Sequence, residues 1–461
     1  MLTNKKVWSF AIIVIVIGVV LATFEKNPQP KITSSNGQFN IKTWTLDNGA
    51  RVFYVNAPQL PMVDIRIVFD AGSVRDKDKP GLALLTNNML SKGAGDWDTD
   101  ALAERFDSVG AQFGVSAMRD MAVLNLRTLN DAPLLDKAVG TMATVLNLPR
   151  FDEAELERIR KQTLVALNAE QQSPGAIGQK VFYNEIYGEH PYASHSMGTE
   201  ESIGSISKTD LEDFYKEYYV GHNALIAIVG DVDLKQAKEL AEQLVGGRPA
   251  GKQPASLAKV SELSKAVTIK KSHPSTQTHI LVGQPGMHRG DPDYFSLYVG
   301  NHILGGSGFG SRIMAEIREK RGLAYSSYSY FMPMREDGPF MMGLQTSNTQ
   351  RDEALALLNQ ILQEFIEQGP TAEELEHAVK NITGGFPLRI DSNNDIIEYI
   401  AMIGFYNLPL TYLDDFNATV ESITIDSIKD AFRRRIHPDK LVTVLVGNGD
   451  ETQSTDEQTA K

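Results

Sequence analysis

Cysteine is absent from the 461 residues, which excludes disulfides and thiolate metal sites and leaves both reducing and oxidising compartments open. A lipid-modified amino-terminal cysteine is excluded as well. Positive charge is short: 45 Lys and Arg face 58 Asp and Glu, a formal charge of −13. Nucleic acid is therefore excluded as a partner, because phosphate binding needs a basic stripe that this chain lacks. Histidine is scarce too, with nine in all. His190 with His195 and His273 with His279 lack the spacing of one helix face and sit in loop-like sequence, so they read as loop or core histidines.

What is present begins with Lys5 and Lys6 and an apolar run from Trp8 to Phe24. As a helix the run is roughly 25 Å long, slightly short of a hydrocarbon core. It reads as a signal peptide or a membrane anchor over residues 1–24, and the weak small-residue site at Val20 to Ala22 favours an uncleaved anchor. The lysines should stay in the cytoplasm and send the rest across, to the periplasmic face of a bacterial inner membrane, or to the periplasm if the segment is cut. Residues 25–40 form a polar tether, with folded structure expected from about Ile41. Residues 449–461 are an acidic tail expected to be disordered.

Between these ends the chain alternates strand and helix patterns. Thr43 to Asn56 predicts a hairpin turning at Asp47, Asn48 and Gly49, and Met62 to Ala71 an alternating strand. Helical periodicity follows over Gly81 to Leu90 and Asp98 to Val109, then strands over Gln112 to Ser116 and Ala122 to Leu129. Helices are expected over Leu134 to Leu146, Asp152 to about Gln172 and Lys208 to Tyr219, and a buried strand over Ala224 to Val229. The same ending recurs: Ser205 to Gly230 aligns without a gap to Ser422 to Gly447 at an offset of 217, pairing Tyr215 with Phe432 and Val229 with Val446. Two α+β halves, 41–245 and 263–448, joined by the Gly, Pro and Ala-rich linker 246–262, imply a duplicated domain.

The most chemically suggestive stretch is Gly305 to Tyr330: a glycine run, a helix with Ile313 and Ile317 on its apolar side, a turn at Gly322 and an aromatic strand. The run is no phosphate loop, because no Lys-Ser or Lys-Thr pair follows it. Arg318 and Tyr325, seven apart across the turn, are two donors that one carbonyl oxygen could accept from. On residue types alone the plainer reading also stands, with Arg318 on a solvated helix face among carboxylates and Tyr325 packed half-buried at a strand start.

AGSVRDKDKPGLALLTNNMLSKGAG in the first half and GGSGFGSRIMAEIREKRGLAY in the second resemble the pitrilysin or insulinase family of zinc peptidases, nearest in size to its processing-peptidase branch. The likeness runs from Ile41 to about Asn448 and implies two homologous α/β sandwich domains forming half of a clamshell. Active members carry H-x-x-E-H on a helix, where i and i+4 imidazoles hold one zinc and the Glu polarises its water. Here those positions are Leu84, Asn87 and Asn88, and Val165 stands where a third ligand, a Glu, belongs. Glu170 lies about 140° around the helix from Val165 and cannot replace it easily.

The resemblance thus implies that this chain binds no zinc of its own. It matches the family's second-half pair at Arg318 and Tyr325, which bind peptide substrate across from the zinc. Some members split these sets between two chains. This chain resembles the non-catalytic subunit, with an H-x-x-E-H-bearing partner supplying zinc. The alternative is a pseudo-peptidase serving as a scaffold in a membrane complex.

Overall fold

The computed structural model describes residues 32–448 apart from residue 36, so the amino-terminal apolar run and the acidic tail lie outside the described residues. Among those described, no helix is long and apolar enough to cross a membrane. Ordered structure starts earlier than Ile41, since a short strand β1 (Thr33–Ser34) pairs with the first hairpin strand.

The first half contributes β2 (Lys42–Thr45), β3 (Arg51–Asn56), β4 (Met62–Phe69), β5 (Gln112–Ala117), β6 (Ala122–Leu129) and β7 (Ala224–Gly230). The second contributes β8 (Val267–Ser272), β9 (Gln277–Met287), β10 (Ala324–Phe331), β11 (Gly338–Ser347) and β12 (Val442–Gly447). Two mixed sheets result, ordered β1-β2-β3-β7-β4-β6-β5 and β10-β11-β9-β12-β8. Each has a single parallel pair, β3 with β7 and β8 with β12, at the same place in the order. The internal repeat is therefore a repeat of topology. Its offset is kept to the residue, since the helix Lys208–Tyr218 recurs as Ile425–Arg435.

Alternation along the strands explains how two sheets share a core. Val52, Tyr54, Ile65, Ile67, Ile226 and Ile228 turn toward the first half's own helices, against Leu85 and Met89. Their neighbours Phe53, Val55, Leu225 and Val229 turn to the other face, which is covered by the helix Asn393–Phe405 from the second half through Ile397 and Ile400. The reverse also holds. The helix Pro174–Tyr187 of the first half lies on β9 and β12, packing Phe182, Tyr183 and Ile186 against Leu281, Val444 and Val446. Both sheets are thus buried on two faces, which is why β7 and β12 read as continuous apolar runs.

The segment joining the halves carries no regular structure over residues 247–263 but is held along the surface. Its backbone carbonyls accept from Gly221 N at Pro249, from His222 N at Ala250 and from Arg75 Nη1 at Ala255.

Asp76 fixes the entry to the helix Leu82–Leu90, its carboxylate accepting from Gly81 N and Ala83 N at 2.7 Å each. Burial raises its pKa from 3.8 to about 7, which the two backbone donors only partly offset. Between those values the native state holds a proton that the unfolded chain has released. Stability should therefore fall as pH rises through that window and level off above it, at up to about 1.4 kcal/mol per pH unit. Denaturant titrations across the window should show the decline, and Asp76→Asn should flatten it; the same slope in the variant would exclude Asp76 as its source.

Candidate functional site

The helix Leu82–Leu90 places Leu84 and Asn88 half-buried on one face and Asn87 fully buried. Asn87 is built into the core: it accepts from Tyr219 Oη at 3.1 Å, with its Nδ2 3.5 Å from Val123 O. The helix Glu153–Glu170 packs against this one and carries Val165, which is 70% exposed, an apolar side chain facing open space. Leu84 and Val165 have no donor atom, the Asn87 amide is committed, and Asn88 alone remains. Such a set does not fit zinc.

Among the described residues His288, Asp291 and Asp337 bring ligand atoms within 4.8 Å of one another. Asp291 is buried and already ion-paired to the Arg435 guanidinium, and His288 Nδ1 lies 3.0 Å from Asp337. Because a resident cation already neutralises Asp291, the cluster is an internal ion network and not a vacant cage.

Arg318 and Tyr325 come together as the sequence suggested. The glycine run begins with a close approach: Gly305 sits against the Ser329 backbone, where a Cβ would lie 2.4 Å from Ser329 N. A short helix, Arg312–Met314, then widens into a π-type turn over Ala315–Glu319 that buries Ile313 and Ile317 and presents Arg318. Such turns favour functional positions because they push one residue out of the regular spiral. Gly322, at φ +63°, closes the helix: its N donates to Arg318 O, and Leu323 N donates to Ile317 O. The next strand, β10, has a bulge between Ala324 and Ser327, which re-aims Tyr325 away from the ladder.

Tyr325 is 82% exposed, and the Arg318 guanidinium lies 4.4 Å from its ring centroid. A third residue, which the sequence did not single out, completes the arrangement. Phe309, 65% exposed at the tip of the glycine run, also lies against Arg318, whose guanidinium is 4.6 Å from its ring centroid. The surrounding carboxylate is taken up elsewhere: Glu316 binds Lys320 at 2.5 Å and Arg321 at 2.6 Å, which holds its pKa below the ordinary value. Arg318 therefore has no carboxylate or carbonyl acceptor among the described residues. The expected face of paired charges exists, but Arg318 is left out of it, and Arg321 is a surface ion-pair partner.

The histidines differ in part from expectation. His279 lies within β9, while His195 sits in a loop with its Nε2 3.3 Å from Glu170 Oε2. Glu170 is thus committed to His195, in keeping with its turning away from the Val165 face.

If Asn87 now serves the core, Asn87→Leu should cost about 1–3 kcal/mol by stranding the Tyr219 hydroxyl, and Tyr219→Phe in the same chain should recover part of the loss. Urea midpoints of the double-mutant cycle test this; additive losses would mean that the two side chains are not coupled.

Residues 51–200 match the model described as insulinase (peptidase family M16), and residues 205–382 match the peptidase M16 inactive domain. A crystal structure of a peptidase M16 inactive domain from Pseudomonas fluorescens is 38% identical, covering 90% of this chain and 99% of that one, with a TM-score of 0.87. The non-peptidase homolog YmxG of Helicobacter pylori is 27% identical over 86% of this chain and 91% of its own. The mitochondrial-processing peptidase subunit beta of Saccharomyces cerevisiae is 22% identical over 88% and 91%. With a 38% identical relative matched over 99% of its length, the chain belongs to the M16, or insulinase, family of peptidases.

Proposed function

We propose that this chain is the non-catalytic subunit of a two-chain zinc peptidase, in which Arg318 and Tyr325 bind the peptide backbone at the zinc site of an H-x-x-E-H-bearing partner. The carrying observation is the Arg318 guanidinium, in contact with the Phe309 and Tyr325 rings and with no protein acceptor among the described residues. The two ring contacts restrict the guanidinium while spending none of its N–H groups on an acceptor among the described residues, so less freedom is lost when a carbonyl oxygen arrives. The Tyr325 phenol is a second donor beside it. Two fixed donors aimed at one oxygen hold a peptide carbonyl, and they hold it more strongly as negative charge develops on that oxygen.

The rest of the reading follows from what the first half lacks. Zinc and the base that activates water must come with the partner, because Leu84, Asn87, Asn88 and Val165 cannot supply them. Support comes from relatives named as an inactive domain, a non-peptidase homolog and a peptidase subunit. The Lys5, Lys6 and Trp8 to Phe24 segment adds the proposal that the subunit is anchored with its folded part in the periplasm.

A gentle-detergent pull-down from the native membrane, read by mass spectrometry, should return one stoichiometric partner of similar size carrying H-x-x-E-H. A large assembly without such a partner would favour the scaffold instead. With the partner in hand, Arg318→Ala or Tyr325→Phe should lower turnover of the pair by on the order of 10² to 10³ without dissociating it; unchanged turnover would sink the assignment.

A further inference from the structure

A cavity of about 350 Å³ opens beside the first half's degenerate site, and nothing described so far uses it. One wall is a single face of the helix Pro174–Tyr187, with Ala176, Gln179, Lys180 and Tyr183 at positions i, i+3, i+4 and i+7. The opposite wall is the loop of His195 and Met197, and Arg119 enters from the turn between β5 and β6. Glu170 closes one end. It lies five residues beyond Val165 on the same helix, about 7.5 Å along the axis from the position where a zinc ligand would stand.

The charges in this cavity are unbalanced. Arg119 is stacked on Tyr183, 4.0 Å from the ring centroid, and its Nη1 donates to the Tyr192 and Ser194 carbonyls at 2.8 Å each. That edge is satisfied, and the guanidinium also hydrogen-bonds the Tyr183 phenol, but no carboxylate pairs with it among the described residues. Lys180 has no carboxylate partner among them either. The lining's only carboxylate, Glu170, is engaged by His195, whose pKa burial lowers, so the imidazole is neutral at neutral pH. Two cations without a carboxylate partner, against one carboxylate, leave a local surplus of one positive charge, in a chain whose net charge is −13.

The cavity and the Arg318 and Tyr325 surface lie toward opposite ends of one strand. Tyr183 donates through its hydroxyl to the sulfur of Met332 at 3.8 Å, and Met332 directly follows β10, the strand that begins with Ala324 and Tyr325. Seven residues of extended chain separate Tyr325 from Met332, a span of about 23 Å. An extended peptide of similar length, with one carbonyl at Arg318 and Tyr325, would therefore reach the cavity.

We infer that this cavity is a subsite for a carboxylate on the bound peptide, received by the unneutralised charges of Arg119 and Lys180, with the adjoining apolar part of the peptide against Tyr183 and Met197. The inference deepens the proposed function and rests on its reading of this surface as a peptide site. Both a chain-terminal carboxylate and an Asp or Glu side chain have the required chemistry.

Three fluorescein-labelled octapeptides of one neutral sequence separate these sources: a free-acid form, its carboxy-terminal amide, and the amide with a single Glu. Anisotropy titrations against the purified full chain should show at least one carboxylate form binding about tenfold or more tighter than the plain amide. Whichever form gains affinity identifies the source. Lys180 is exposed, so Lys180→Gln should fold normally and remove most of that gain while leaving the amide unchanged. Arg119→Lys, which keeps the charge but loses the planar edge, should remove part of it. Arg318→Ala should weaken all three peptides alike.

Equal affinity for all three forms would overturn the carboxylate subsite and leave the peptide surface standing. A carboxylate gain that Lys180→Gln does not diminish would overturn the assignment to this cavity. A gain with no response to Arg318→Ala would uphold the cavity and remove the Arg318 role. Absence of binding by every form would overturn both readings.

Discussion

The reciprocal exchange of two helices is the constraint on which the architecture depends. Each sheet has a face that its own half does not cover, and the helices Asn393–Phe405 and Pro174–Tyr187 cross over to cover them. Exposed faces bearing Phe53, Leu225 and Val229 in one sheet and Leu281, Val444 and Val446 in the other would be large apolar patches on a free domain. Neither half is therefore a self-sufficient layer sandwich, and the two must fold into register with each other. Close approach enforces this: Gly404 lies against Leu225 and Phe53, where any Cβ would come within 2.4 Å of Leu225.

Polar groups fix the orientation that apolar packing leaves loose. Asp120, buried at the tip of the β5–β6 turn, accepts from Tyr192 Oη at 2.7 Å, Arg335 N at 2.8 Å and Tyr406 Oη at 3.0 Å, the last two from the second half. Arg335 also reaches Asp70, which is already held bidentately by Arg75. Directional bonds of this kind penalise sliding of one half over the other, because any slip strands a buried carboxylate. Arg119, one residue before Asp120, and the Tyr192 to His195 loop are positioned by the same junction.

The duplicated order, the Lys208–Tyr218 and Ile425–Arg435 correspondence and the β10 strand were legible in the sequence because periodicity and a gapless offset carry them. The π-type turn under Arg318 and the bulge that exposes Tyr325 were not, since each is a one-residue deviation from a regular element and leaves the hydrophobic pattern intact. Phe309 was overlooked for another reason: a lone aromatic in a glycine run has no period to announce it. The cavity of Arg119, Lys180 and Glu170 draws on separate elements, so no local spacing could have revealed it. The helix Pro174–Tyr187 went unread because it interleaves Gly, Pro and polar residues, and its role appears only against the other half's sheet.

The contrast between the two halves bears on function through what each residue does for the fold. Asn87 does structural work, satisfying Tyr219 inside the core, and needs no ligand to explain it. Arg318 shows none: among the described residues it satisfies no buried carbonyl and balances no carboxylate, and its two aromatic neighbours are themselves mostly exposed. Holding a guanidinium against exposed rings costs side-chain entropy and offers the fold only weak cation–π attraction in return. A backbone widened at Ala315–Glu319 and bulged after Ala324 serves the same two side chains. Such local departures concentrate where a ligand is received, and here they converge on donors with no acceptor among the described residues. That convergence favours a bound carbonyl over a passive scaffold.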